Sequence, residues 1–136
     1  MQFAKKMLLA KKKLEKLGLT VKVPCDIKKF IDESNFSTDN HEEDYKHCLE
    51  NDVIKTDMKS VVESDAILVL NYPKDNIEGH IGTSTLMEIG LAYFHNKKIL
   101  LLFPLPKLEK ARYSHELSIM QPQILKGDIK NIKKFL

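Results

Sequence analysis

Residues 64–106 decide the fold of this chain, and they read SDAILVLNYPKDNIEGHIGTSTLMEIGLAYFHNKKILLLFPLP. Two runs in this stretch, residues 66–70 and 99–103, are short and continuously apolar, which is typical of strands buried on both faces of a parallel sheet. Residues 86–94 lie between them and form an apolar helical segment that contains one carboxylate, Glu88. The stretch therefore predicts a strand, a glycine-bearing loop, a helix and a second strand.

The flanking segments predict further helices and strands. Residues 3–17 carry apolar side chains at spacings of three and four and are followed by Gly18, which predicts an amphipathic helix with a glycine at its C-terminal end. Residues 19–23 alternate apolar and polar side chains before Pro24, which predicts a strand. The other predicted elements are a loop with one helical turn over residues 26–40, helices over residues 41–49, 52–63, 111–120 and 129–135, the last capped by Asp128, and a short strand over residues 123–125.

The alternation of helices and strands predicts an α/β fold in which a parallel sheet with right-handed crossovers carries helices on both faces. The 136 residues contain no repeat, low-complexity segment or interdomain linker, so we expect a single domain over residues 1–136. A doubly wound sheet normally opens with a strand in its middle, whereas this sequence opens with a helix. We expect either that the first strand lies upstream of Met1 or that the sheet is reorganised around its absence.

Composition narrows the expected partners and compartment. The chain is 43% hydrophobic and 30% charged, and no apolar run approaches the length of a membrane span. The net charge of +3 comes mainly from lysines on predicted helix faces, whereas nucleic-acid surfaces usually combine arginine with aromatic side chains. Cys25 and Cys48 form no CxxC motif, which fits a reducing cytoplasm better than a disulfide scaffold. We therefore expect a cytoplasmic protein that binds neither a membrane nor nucleic acid.

Two interpretations compete for Glu88. Residues 85–88 read TLME, a capping-box pattern in which Thr85 is the N-cap and Glu88 returns to the backbone N–H of Thr85. In the functional interpretation, Glu88 lies in the first turn of a helix at the carboxyl edge of a parallel sheet, where α/β folds bind ligands. The helix dipole would then favour the ionised carboxylate, which is available as a nucleophile. Pattern alone favours the cap.

Two glycines precede this helix. Gly79 and Gly82 allow the backbone to approach a ligand closely, and free N–H groups there are able to hold a phosphate or a sugar hydroxyl. The alternative is a plain loop turn, and GxxG alone does not distinguish the two. His80, between the glycines, is interpreted as a solvated loop histidine.

At these residues the chain resembles the nucleoside 2-deoxyribosyltransferase-like family. The resemblance is carried by SDAILVLN, HIG, TLMEIGLA and NKKILLLFPLP, and it extends back through KKLEKLGLTVKVPCD and forward to MQPQILKGD. It implies a three-layer, flavodoxin-like or Rossmann-like fold whose first strand is missing from this sequence. It also implies cleavage of the N-glycosidic bond of 2-deoxyribonucleosides or their 5′-monophosphates, and it leaves open whether a second base or water accepts the sugar.

The resemblance assigns catalytic roles to two residues. Glu88 matches the nucleophile, which attacks C1′ and forms a covalent glycosyl-enzyme. Asp57 matches the base-side aspartate of some members, which holds or protonates the leaving base; its alternative is a solvated helix residue. The residues predicted to bind substrate are Asn71, Tyr72, Gly79, Gly82 and Thr83. No cofactor is implied, and because a neighbouring subunit often completes such sites, we expect a homodimer or a higher homo-oligomer.

The alternative function, from a different class, is a non-catalytic nucleotide-binding or sensing domain of the same fold. The missing first strand favours it, because in the family that strand lines the sugar and phosphate site. A metal site is not expected, because zinc ligands usually come from separated elements, whereas the candidates share one short segment: His41, Asp44, His47 and Cys48. Tyr93 and Phe94 are expected to lie in the core.

Overall fold

The computed structural model describes residues 3–32 and 41–136, and the chain divides into two units, residues 1–60 and 61–136. Helix α4 (Val53–Glu63) begins in the first unit and ends in the second. The expectation of a single domain stays a prediction. Each unit is described by itself below.

The described part of the first unit is helical. It contains α1 (Ala4–Lys16), α2 (Lys29–Asp32), α3 (His41–Asn51) and the beginning of α4. Helix α1 ends as predicted, because Gly18 follows it with a φ of +87°, a conformation that glycine adopts without steric cost. The predicted loop over residues 26–40 lies outside the described residues from residue 33 onward.

The strand predicted over residues 19–23 is not present. Residues 19–24 belong to neither a helix nor a strand, although Val21 and Val23 are half-buried and Lys22 between them is exposed, as the alternation predicted. A strand also requires a hydrogen-bonded neighbour. Within the described part of the chain no strand pairs with these residues, so alternating burial alone did not make a strand.

The second unit contains a parallel sheet of three strands, which confirms the α/β class. The strands are β1 (Ala66–Val69), β2 (Lys98–Leu101) and β3 (Gln123–Ile124), in that order across the sheet. Both pairings are parallel, with Val69 opposite Leu101 and Leu101 opposite Ile124. The apolar runs of the sequence thus become the two neighbouring strands that were predicted from them.

Helices complete this unit. Helix α5 (Thr83–Phe94) connects β1 to β2, and α6 (Ser114–Ile119) precedes β3. A 3₁₀ helix (Ile129–Lys134) begins as predicted at Asp128, whose carboxylate accepts a hydrogen bond from the Lys130 N–H at 2.9 Å. The buried core between sheet and helices consists of Val69, Ile81, Ile89, Ala92, Ile99, Leu101 and Leu117. In the described residues no helix has the length and apolar character needed to span a bilayer.

The prediction that Tyr93 and Phe94 lie in the core is wrong. Their exposed fractions are 50% and 78%. Helix α5 turns Ile89 and Ala92 into the core, and both are fully buried. Phe94 follows Ala92 by two residues, which is roughly 200° around a helix, so its ring points away from that buried face.

Candidate functional site

Asn71 ties together the segments that follow β1 and β2. Only 1% of it is exposed. Its Oδ1 accepts a hydrogen bond from the Phe103 N–H at 2.8 Å, and its Nδ2 donates to the Phe103 carbonyl at 2.8 Å. One side-chain amide therefore satisfies both backbone groups of Phe103. Asn71 lies at the carboxyl end of β1, as predicted. Its amide, however, is used to join the segment after β1 to the segment after β2.

A tight turn follows Asn71. Lys74 and Ile77 exchange backbone hydrogen bonds at 2.9 and 3.1 Å, and the two residues between them, Asp75 and Asn76, both have positive φ values of 52° and 60°. Two positive φ values in a two-residue turn are the signature of type I′ geometry. Before the turn, Tyr72 is half-buried, with its ring packed edge-on against Phe103 at a centroid distance of 5.4 Å.

Gly79 is required by packing. Its φ is +73°, and a Cβ atom at this position would collide with the carbonyl oxygen of Pro104. The Nδ2 of Asn71 lies 3.4 Å from the Gly79 carbonyl oxygen, so the two residues belong to one packed corner. The sequence predicted that Gly79 allows a ligand to approach closely. In the structure the backbone of Pro104 approaches it instead.

Gly82 differs from Gly79, because nothing in its surroundings excludes a side chain. It is the N-cap of α5, it is exposed, and a Cβ atom there would meet no atom within 4 Å. Among the described residues no side chain caps this helix end, and Thr83, the first helical residue, is exposed. The loop is anchored just before, where the Ile81 N–H donates to the Tyr113 hydroxyl at 2.9 Å. Gly82 and Thr83 thus leave the start of α5 exposed.

Glu88 is not a helix cap. Helix α5 begins at Thr83 with Gly82 as its N-cap, so Thr85 is the third helical residue and Glu88 the sixth. A capping glutamate must be the third residue after the N-cap. The capping-box interpretation is therefore wrong, and so is the placement in the first turn, because Glu88 is half-buried in the second turn beside the fully buried Ile89.

Asp57, the remaining predicted site residue, belongs to the first unit, whereas the other six belong to the second. Its Oδ1 accepts a hydrogen bond from the Cys25 N–H at 2.8 Å. Burial raises the pKa of the Asp57 carboxyl above its usual range, and the hydrogen bond from Cys25 offsets only part of that shift. Burial, followed by the charge of Asp57, raises the pKa of the Cys25 thiol to about 11.

A second buried carboxylate adjoins Cys25. The Oδ2 of Asp26 lies 2.9 Å from Nε2 of His47, and both side chains are only 9% exposed. The Asn51 amide donates to the His47 carbonyl at 2.9 Å and lies 3.3 Å from His47 Nδ1. Because the amide nitrogen is a donor, Nδ1 is the acceptor, and the Nε2–H donates to Asp26. This pair joins residues that the sequence separates by 21 positions.

The sequence did not predict the group formed by Asp26, His47 and Asn51. It placed His47 among the candidate metal ligands of residues 41–48 instead. Of the four residues considered as metal ligands, Cys48 and Asp44 do meet on one face of α3, with Sγ 3.8 Å from Oδ1. His47, however, turns to Asp26 instead. The available signal was the Cys25–Asp26 pair immediately after Pro24, because a neighbouring thiol and carboxylate are a common pair of metal ligands.

Each unit has a cavity lined by described residues. One, of about 560 Å³ in the second unit, lies at the amino ends of β2 and β3, with Lys98 and Gln123 in its wall. The other, of about 390 Å³ in the first unit, includes Cys25, Asp26 and His47. Neither wall includes Glu88. Comparison of the chain with protein-family models, with curated proteins and with solved structures gives no match.

Proposed function

We propose that this protein cleaves the N-glycosidic bond of 2-deoxyribonucleosides or their 5′-monophosphates and passes the sugar to water or to a second base. Glu88 is the proposed nucleophile, and the parallel sheet is proposed to be part of a three-layer, flavodoxin-like fold. The observation that carries the proposal is the position of Glu88. Its helix follows the loop that leaves the carboxyl end of β1, and the early start of that helix removes the capping role that competed for this carboxylate. The resemblance to the deoxyribosyltransferase-like family supports the same role.

The proposed chemistry has two displacements. The Glu88 carboxylate attacks C1′ of the deoxyribose, the C1′–N bond breaks, and its electron pair leaves with the base, which takes up a proton. Water or a second base then attacks C1′ and loses a proton to the solvent, while the bond between C1′ and the Glu88 carboxylate breaks and the carboxylate is regenerated. The resemblance assigns the proton that the leaving base takes up to Asp57, which lies in the first unit, whereas Glu88 lies in the second.

The open start of α5 is the proposed contact for the 5′ side of the sugar. The first backbone N–H groups of a helix have no partner within it, and they attract an oxygen or a phosphate. Gly82 leaves space there, and Thr83 adds a hydroxyl. This arrangement accepts either a 5′-hydroxyl or a 5′-phosphate, so the proposal includes nucleosides and nucleotides.

The decisive experiment compares two glutamates. Wild-type protein, Glu88→Gln and Glu116→Gln are incubated with deoxynucleosides and with their 5′-monophosphates, with and without an acceptor base, in EDTA, and the products are separated by chromatography. Glu116 is an exposed glutamate of α6 and serves as the matched control. We expect free base or exchanged nucleoside from the wild type and from Glu116→Gln, and at least a thousandfold less from Glu88→Gln, since a lost nucleophile removes the covalent route.

The second candidate function is nucleotide binding without turnover. It is favoured by the exposed start of α5, where Gly82 and Thr83 are able to hold a phosphate without any role for Glu88. In that case neither protein releases base, and a deoxynucleotide binds to wild type and Glu88→Gln with equal affinity. Base release that survives in Glu88→Gln would instead contradict the assignment of the nucleophile.

A further inference from the structure

Three potential ligand atoms converge in the first unit. The Cys25 Sγ, a carboxylate oxygen of Asp26 and a carboxylate oxygen of Asp57 all lie within 4.8 Å of one another. They come from two parts of the chain, because Cys25 and Asp26 belong to the segment between α1 and α2, while Asp57 lies on α4. Ligands drawn from separate elements are typical of protein metal sites.

Asp26 supplies an independent observation. Its side chain is 9% exposed, its Oδ2 is held by His47, and its Oδ1 is buried with no hydrogen-bond partner among the described residues. Buried carboxylate oxygens are nearly always paired, so an orphaned one needs an explanation. The Cys25 thiol does not supply it, because its side-chain hydrogen bond is to Asp57.

We propose that Cys25, Asp26 and Asp57 bind one divalent transition-metal ion of the zinc class. A thiolate selects such an ion over magnesium or calcium. Tetrahedral coordination by sulfur and oxygen places the ligand atoms roughly 3.5 Å apart, so side-chain rotation has to close the cluster by about 1 Å. Three protein ligands leave a fourth position for water. This inference does not rest on the proposed function, and it excludes one part of it, because a metal-bound Asp57 carboxylate is ionised and donates no proton.

The surroundings fit this role. His47 donates to Asp26 Oδ2, and the Cys25 N–H donates to Asp57 Oδ1, so each carboxylate is oriented by a hydrogen bond behind it. Cys25 is exposed and lines a cavity of about 390 Å³, which gives an ion and its water a route of entry. On binding, the Cys25 S–H bond breaks, the sulfur–metal bond forms, and the proton passes to the buffer.

Cobalt(II) is the probe, because cobalt–thiolate bonds absorb light and zinc does not. The full chain is stripped with EDTA, desalted and titrated with Co²⁺, followed by Zn²⁺. We expect one equivalent of Co²⁺ to produce a thiolate-to-cobalt charge-transfer band, which Zn²⁺ then removes. The band should be lost in Cys25→Ser and kept in Cys48→Ser, the matched control on α3. Asp26→Asn should weaken Co²⁺ binding at least tenfold.

A second measurement needs no variant. Wild-type protein is alkylated with and without Zn²⁺, and the modification of each cysteine is read by mass spectrometry. We expect Zn²⁺ to slow alkylation of Cys25 and to leave Cys48 unchanged. Absence of the cobalt band in the wild type, its persistence in Cys25→Ser, or equal protection of both cysteines would each overturn the proposal.

Discussion

The corner at Asn71 and the cluster at Asp26 both bury polar side chains, but they satisfy them differently. In the corner, Oδ1 and Nδ2 of Asn71 both bond to the backbone of Phe103, so the side chain completes the sheet. In the cluster, acidic side chains lie against one another, and one oxygen of Asp26 has no partner in the described chain. A fully satisfied buried group stabilises a scaffold, whereas an incompletely satisfied one marks a place where a ligand is able to add stability. The difference predicts which substitutions unfold the protein and which change its chemistry.

The largest expected effect is that of Gly79→Ala in the corner. The new Cβ collides with the Pro104 carbonyl, and alanine is strained at a φ of +73°. We expect a loss of about 3 kcal/mol or more in the free energy of unfolding, measured by urea denaturation. The control is Gly82→Ala, whose Cβ meets no atom within 4 Å and whose φ is −74°. It should change stability by less than about 1 kcal/mol. Equal effects at the two glycines would contradict the packing described here.

Asn71→Leu should destabilise the protein by about 2 kcal/mol, because it leaves the N–H and the carbonyl of Phe103 without their partner. Asn131→Leu is the control: the Asn131 amide makes one hydrogen bond, from Nδ2 to the Leu125 carbonyl at 2.8 Å. Its expected cost is about 1 kcal/mol. The comparison is made by urea denaturation. A loss of stability at Asn131 as large as that at Asn71 would contradict the expectation that the paired hydrogen bonds to Phe103 stabilise the protein more than the single bond to Leu125.

The smallest effect on stability, but a clear one on reactivity, is expected for Asp57→Asn. The pKa of Cys25 is about 11, and after burial the Asp57 charge is the next cause of that rise. At pH 8 only about one thiol in a thousand is then ionised, so alkylation is slow. Removing the charge lowers the pKa and increases the thiolate fraction, and we expect Cys25 to react several-fold faster at pH 8 in EDTA. The rate at Cys48 in the same samples is the reference. A slower reaction at Cys25 would contradict the sign of the effect.

The central strand, helix and strand were predictable because their signals are local. The two apolar runs and the helix between them are contiguous in residues 64–106, and the strands pair as neighbours. Periodicity did not reveal how far the burial of α5 extends, which is why Tyr93 and Phe94 were misplaced. The start of α5 was misplaced for another reason: Thr83, Ser84 and Thr85 are all N-cap residue types, and Gly82 is the N-cap instead.

The cluster in the first unit was not predictable by the same means. Asp26 and His47 are 21 positions apart, and Cys25 and Asp57 are 32 apart. No periodicity connects such residues, and only the fold of α3, α4 and the segment between α1 and α2 brings them together. Residues 19–23 show a different failure. Their burial alternates as predicted, but they form no strand because no described strand pairs with them.

The double hydrogen bond of Asn71 also has a consequence for how this protein is able to change. It acts as one additional rung beyond the last backbone bond between the strands, the one from the Leu102 N–H to the Val69 carbonyl. After Asn71 the chain is fixed again at Tyr72, whose ring packs on Phe103, and at Gly79, whose backbone packs on Pro104. The type I′ turn at residues 74–77 lies between these two contacts. We therefore expect the turn to tolerate changes of length and sequence, so that this loop is replaceable while the carboxyl ends of β1 and β2 stay joined.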